Sequence, residues 1–72
     1  MKTVTIHTEY IKLQDLIKLA GIVGTGGSAK LLIVAGQVSV NGEVCTQRGR
    51  KIRPGDSVVF GREELQVSYA DQ

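Results

Sequence analysis

Seventy-two residues make one small domain whose surface stays large relative to its core, and a formal net charge of +2 would barely attract a polyanion as a whole. At 42% hydrophobic residues with nine glycines, the composition is that of a folded, turn-rich module and excludes a disordered tail. There is no run of about eighteen apolar residues for a membrane span and no apolar centre of a signal peptide in MKTVTIHTEY. A lone Cys45 can form neither an internal disulfide nor a zinc spacing, so a cytoplasmic protein is expected.

In chain order, Thr3 to His7 alternate, with Val4 and Ile6 on one face, as a half-buried strand does. From about Lys12 the period changes. Leu13, Leu16, Ile17 and Ala20 follow the spacing of one helix face, and Gly21 ends the helix because glycine takes the left-handed cap conformation at little cost. A helix of roughly eight to ten residues needs tertiary packing to persist. Thr25 suits the N-cap of a second helix, with Gly26 and Gly27 in its first turn, Ala29, Leu32 and Ile33 as its buried stripe and Gly36 as its stop. The two first-turn glycines weaken that helix by roughly 1 kcal/mol each relative to alanine, which calls for a compensating close approach by another backbone or a ligand phosphate.

Val38 and Val40 then alternate into Asn41-Gly42, whose residue types suit the two positive φ angles of a type I′ hairpin turn. Glu43, Val44 and Cys45 begin the return strand, with Cys45 read as a small buried hydrophobe. After the segment RGRKIR, Pro54-Gly55-Asp56 reads as a type II turn. Val58 to Phe60 and then Leu65, Val67 and Tyr69 follow as strands joined at Gly61-Arg62. The order is strand, two helices, then about four short strands.

Catalysis would require a nucleophile with a base, paired carboxylates or a metal set. His7 is the single histidine, and the adjacent Glu63 and Glu64 point to opposite faces of a strand. The glycine run at Thr25 to Gly27 lacks the Lys-Ser/Thr of a nucleotide-binding loop. No enzyme activity, cofactor or metal is expected. Charge is concentrated instead. Arg48, Arg50, Lys51 and Arg53 fall within six residues, while Glu63, Glu64 and Asp71 lie near the C-terminus. The basic run reads either as a solvated loop or as an anion-binding segment. With Lys12 and Lys30 near the starts of the two helices, folding could gather three basic sites on one side. About five phosphate contacts give a log-log salt slope near −3.5 for single-stranded nucleic acid, or about a hundredfold loss of affinity between roughly 50 and 200 mM salt.

The helix DLIKLAG, the segment SAKLLI with its closing Gly36, the hairpin VSVNG and the turn RPGD together carry a resemblance. From Ile11 to Phe60 the chain resembles the RNA-binding domain named after ribosomal small-subunit protein S-four, also called the αL domain, and in particular its standalone bacterial YbcJ-like subgroup. The resemblance implies an α+β, αL-type RNA-binding fold: two short helices packed on a small sheet of about four to five strands, residues 1–72 forming a single domain. It further implies that structured RNA, ribosomal or transfer, meets the start of the second helix and the adjoining hairpin.

Carried over by position, Lys12 stands where the family usually has an arginine, and Lys30 follows the alanine of helix two. Asn41 is the hairpin asparagine, and Arg48, Arg50, Lys51 and Arg53 precede the PGD turn. With Gly26, Gly27 and Ser28 these form the expected RNA-binding set. Thr25-Gly26 replaces the family's frequent Ser-Arg, which removes one phosphate contact, and Gln14 stands where an acid is usual. The expectation is a monomeric, non-catalytic RNA-binding protein with a role in ribosome assembly or stability. The alternatives are a protein-interaction adaptor using exposed strand edges or apolar residues such as Leu31 and Val34, with a ribosomal or other protein partner, and a DNA-binding accessory module.

Overall fold

The computed structural model describes residues 2–21, 26–61 and 63–70, with 26–28 as backbone. The expected cap at Thr25 and the packing of Ile22 lie outside these residues. The described elements are β1 (Lys2–Ile6), β2 (Ile11–Lys12), α1 (Leu13–Leu19), α2 (Gly26–Val34), β3 (Val38–Val40), β4 (Glu43–Val44), β5 (Lys51–Ile52), β6 (Ser57–Phe60) and β7 (Glu63–Tyr69). The fold is α+β of the αL type, with two helices packed against a five-stranded sheet of order β1-β7-β6-β3-β4. Among the described residues only β1 and β7 run parallel, in register Val4 with Val67 and Ile6 with Tyr69. The remaining pairs in this sheet are antiparallel.

Alternation decides which face of the sheet is covered. Val40, Val58 and Leu65 sit side by side across β3, β6 and β7, as do Val38 and Phe60 across β3 and β6, and all five are buried. Onto this face pack Leu13, Leu16 and Ile17 from α1, Ala20 at its C-cap, and Ala29 and Ile33 from α2, all buried. The helical spacing of these residues thus matches the face that the sheet needs covered. Burial of each large aliphatic side chain contributes about 1.5–3 kcal/mol, which is what holds so short a helix as α1 in place. Lys2 reaches from the sheet edge to the far end of α1, where its Nζ donates to the Ala20 carbonyl at 2.6 Å. A cation at a helix C-terminus is favourable there.

Glycine and asparagine set the corners. Gly36 has φ +77°; its N–H donates to the Ile33 carbonyl at 3.0 Å and the Gln37 N–H to Leu32 at 3.1 Å, a Schellman closure of α2. Asn41 and Gly42 have φ of 51° and 89°, as the type I′ turn between β3 and β4 demands. Gly55 has φ +97° and the Asp56 N–H donates to the Arg53 carbonyl at 3.0 Å, which makes the Pro54-Gly55 corner the type II turn.

Two features differ from the sequence reading. Tyr69 shares the face of Leu65 and Val67 but is 52% exposed, because it stands at the last position of β7. More consequential is a separate two-stranded ribbon of β2 and β5, which sequence patterning does not reveal.

Candidate nucleic-acid interface

The segment RGRKIR is ordered by its own backbone. The Arg50 N–H donates to the Gln47 carbonyl at 3.2 Å, closing a turn, while the Arg50 and Arg48 carbonyls accept the Leu13 and Gln14 N–H groups at 2.9 and 3.1 Å. Helix α1 has Lys12 at its N-cap position, a residue whose ammonium can only donate, and no side-chain cap is formed. The basic loop therefore supplies the carbonyls that the first amides of α1 require. Its backbone is committed inward and its cationic side chains outward. Those two α1 amides are thereby withdrawn from any ligand.

The β2–β5 ribbon finishes the arrangement. Ile11 pairs with Ile52 and Lys12 with Lys51. Ile52 is fully buried and anchors the ribbon to the core, so alternation turns Lys12 and Lys51 to the outer, exposed side. Two lysines directly opposite one another repel, which leaves an electrostatic demand for an anion. The Lys51 ammonium lies 5.0 Å from the centroid of the Tyr10 ring, a cation–π contact worth about 0.5–1 kcal/mol at an exposed site. Arg48, Arg50 and Arg53 are likewise exposed. Of the three basic sites read from the sequence, Lys12 and RGRKIR are thus joined by β-pairing and by the cap of α1.

Asn41 is held by intramolecular bonds. Its Oδ1 accepts the Ser57 N–H at 2.9 Å, its Nδ2 donates to Asp56 Oδ1 at 3.1 Å, and its N–H donates to the Ser57 carbonyl at 2.8 Å. Asp56 Oδ2 in turn accepts the Arg53 N–H at 2.8 Å. This network ties the tip of the β3–β4 hairpin to the PGD turn and so to the end of the basic segment. Gly26, Gly27 and Ser28 open α2, and Lys30 is exposed one turn further on. α2 packs against α1.

Among the described residues no group of three His, Cys, Asp or Glu could hold a metal ion, no helix is long and apolar enough to cross a membrane, and no buried side-chain polar atom lacks a partner. Cys45 is buried, its Sγ 3.8 Å from the Gln47 carbonyl, in keeping with its reading as a small hydrophobe. A residue that the sequence analysis does not single out is Tyr10. Its signal was an aromatic two positions before a lysine, too weak to single out without the ribbon that brings Lys51 over its ring.

Known proteins are similar to this chain in sequence, and a solved structure is similar to it in fold. YbcJ of Escherichia coli (strain K12) is 41% identical over 58 residues, which cover 81% of this chain and 83% of YbcJ. The Bacillus subtilis (strain 168) protein named "Probable ribosome maturation protein RlbA" is 42% identical over 55 residues, 76% of this chain and 78% of RlbA. The solution structure of E. coli YbcJ, described as revealing an αL motif involved in RNA binding, superposes with a TM-score of 0.75 at 38% identity, covering 94% of this chain and 87% of that one. The family profile described as the S4 domain matches residues 4–68. With nearly the whole described fold inside that match, the chain belongs to the S4 domain family, among its YbcJ-like members.

Proposed function

We propose that this protein is a non-catalytic RNA-binding module that contacts structured RNA, ribosomal or transfer, through its exposed basic face, and that it serves ribosome assembly or stability in the cytoplasm as a single-domain monomer. The observation that carries the reading is the pairing of Lys12 with Lys51 beside a loop whose carbonyls cap α1 while Arg48, Arg50 and Arg53 stay exposed. Such a surface neutralises phosphates, and a fixed backbone behind it lets the cations act together. Membership in the S4 domain family, the αL motif ascribed to YbcJ and the ribosome-maturation name of RlbA support the same direction. Gly26, Gly27, Ser28 and Lys30 at the start of α2 are proposed as a second contact, and Asn41 as a minor one.

The test is a gel shift with a folded ribosomal or transfer RNA fragment, comparing the wild type with Arg50→Ala/Lys51→Ala/Arg53→Ala. Duplex DNA serves as competitor. Weaker, less salt-sensitive binding by the triple variant is expected, together with displacement by RNA before DNA. Preferential displacement by the duplex would assign the face to DNA. A protein-docking reading has one observation in its favour, the exposure of Leu31 (71%) and Val34 (57%) on α2. A partner retained through high salt and nuclease treatment, and lost on Leu31→Ser, would favour it.

A further inference from the structure

A cleft of about 380 Å³ adjoins the lysine pair and is lined by Thr8, Glu9, Tyr10, Ile11, Lys12 and Asp15. Tyr10 and Ile11 are half-buried and give it an aromatic and aliphatic lining; Glu9, Lys12 and Asp15 are exposed at its margins. The Thr8 hydroxyl donates to the Tyr10 carbonyl at 2.8 Å and so fixes the loop that carries the tyrosine. Lys51 lies against the Tyr10 ring. The Leu13 and Gln14 amides, which follow the cleft in the chain, are taken by loop carbonyls and are not offered to a ligand.

The two carboxylates are out of keeping with a surface that only attracts phosphates, which they would repel. A carboxylate accepts hydrogen bonds and cannot donate them. The cleft therefore suits a flat, apolar-faced group with adjacent N–H donors on one edge and an anion attached. Among nucleotides this is guanosine phosphate. Guanine presents N1–H and an N2 amino hydrogen side by side, so that both can reach one carboxylate. Adenine and cytosine place an acceptor beside their amino group, and uracil flanks its one N–H with two carbonyls.

Resting on the RNA-binding reading, we infer that the cleft holds an unpaired guanine of the bound RNA. Its ring packs on Tyr10 and Ile11, its Watson–Crick edge donates to Glu9 or Asp15, and its phosphate lies by Lys12. Unpaired bases splayed out of a folded RNA are recognised through stacking and that edge.

Two measurements test this. In the first, GMP, AMP, CMP and UMP are titrated into the 15N-labelled protein. GMP is expected to shift the amide resonances of residues 8–15 at lower concentration than the other three, and equal response to all four, or none, would overturn the assignment. In the second, an RNA hairpin that binds the protein is compared with versions carrying A, C or U at its one unpaired G. A bidentate contact predicts a preference of between about 5- and 150-fold for G. That preference disappears in Glu9→Gln/Asp15→Asn, whose fold is checked by circular dichroism. RNA binding without base preference would sink the guanine cleft and leave the electrostatic reading standing. A GMP response without any RNA binding would do the reverse.

Discussion

Replacing Arg50, Lys51 and Arg53 together by alanine removes three exposed cations while leaving every backbone bond they make available to form. The Arg50 carbonyl still caps Leu13, and the Arg53 N–H still meets Asp56. The loss of the Lys51–Tyr10 contact, about 0.5–1 kcal/mol, is offset by relief of the Lys12–Lys51 repulsion, so the fold should keep its stability to within about 1 kcal/mol. Binding is another matter. Each phosphate neutralised contributes about 0.7 to the log-log salt slope on a single strand and about 0.9 on a duplex, so with the single-strand coefficient five contacts reduced to two should flatten the slope from about −3.5 to about −1.4. Because the electrostatic term vanishes near 1 M salt, the same three contacts are worth about a hundredfold in affinity at 0.1 M and only about fourfold at 0.5 M. Fluorescence anisotropy of a labelled RNA, titrated at five or six salt concentrations, reads both quantities. An unchanged slope would refute the reasoning. So would an affinity gap that persists undiminished at 0.5 M, since that would place the loss in something other than phosphate neutralisation.

Three further outcomes concern the frame that carries this face. Asn41→Ala loses two side-chain hydrogen bonds and places a Cβ residue without a local partner at φ 51°; urea denaturation should show a loss of about 2–3 kcal/mol, with Asn41→Gly losing less because glycine accepts the angle. Gly36→Ala should cost about 1–2 kcal/mol in the same assay: the added Cβ would meet only Val44 Cγ1, at an ordinary 3.8 Å, so the cost is conformational. Leu16→Ala, at a fully buried position between helix and sheet, should cost about 2–5 kcal/mol, a large part of a small domain's stability, and appear as a fall in thermal midpoint of roughly 4–8 °C for each kcal/mol.

Much of the fold is legible where one signal is both strong and local. The spacing of Leu13, Leu16, Ile17 and Ala20 names the buried face of α1, and Asn41-Gly42 names the turn, because positive φ at two successive positions admits few residue types. The ribbon of β2 and β5 is not legible, since two residues are too few to alternate and Ile11 and Ile52 stand forty-one positions apart in the chain. The same limit applies to the face. The charges of RGRKIR can be counted in the sequence, but whether they belong to a solvated loop or a built surface depends on the bonds that Arg48 and Arg50 make to α1.

The sequence by itself determined the types of the longer elements, the corners and the identity of the cations, because propensity, period and turn chemistry act over a few neighbouring residues. Only the tertiary structure decided that Lys12 faces Lys51, that Lys51 covers Tyr10 and that Asn41 is bound to Asp56 and Ser57. Those contacts join residues far apart along the chain, and their partners follow from how the sheet, the ribbon and α1 close on a shared core.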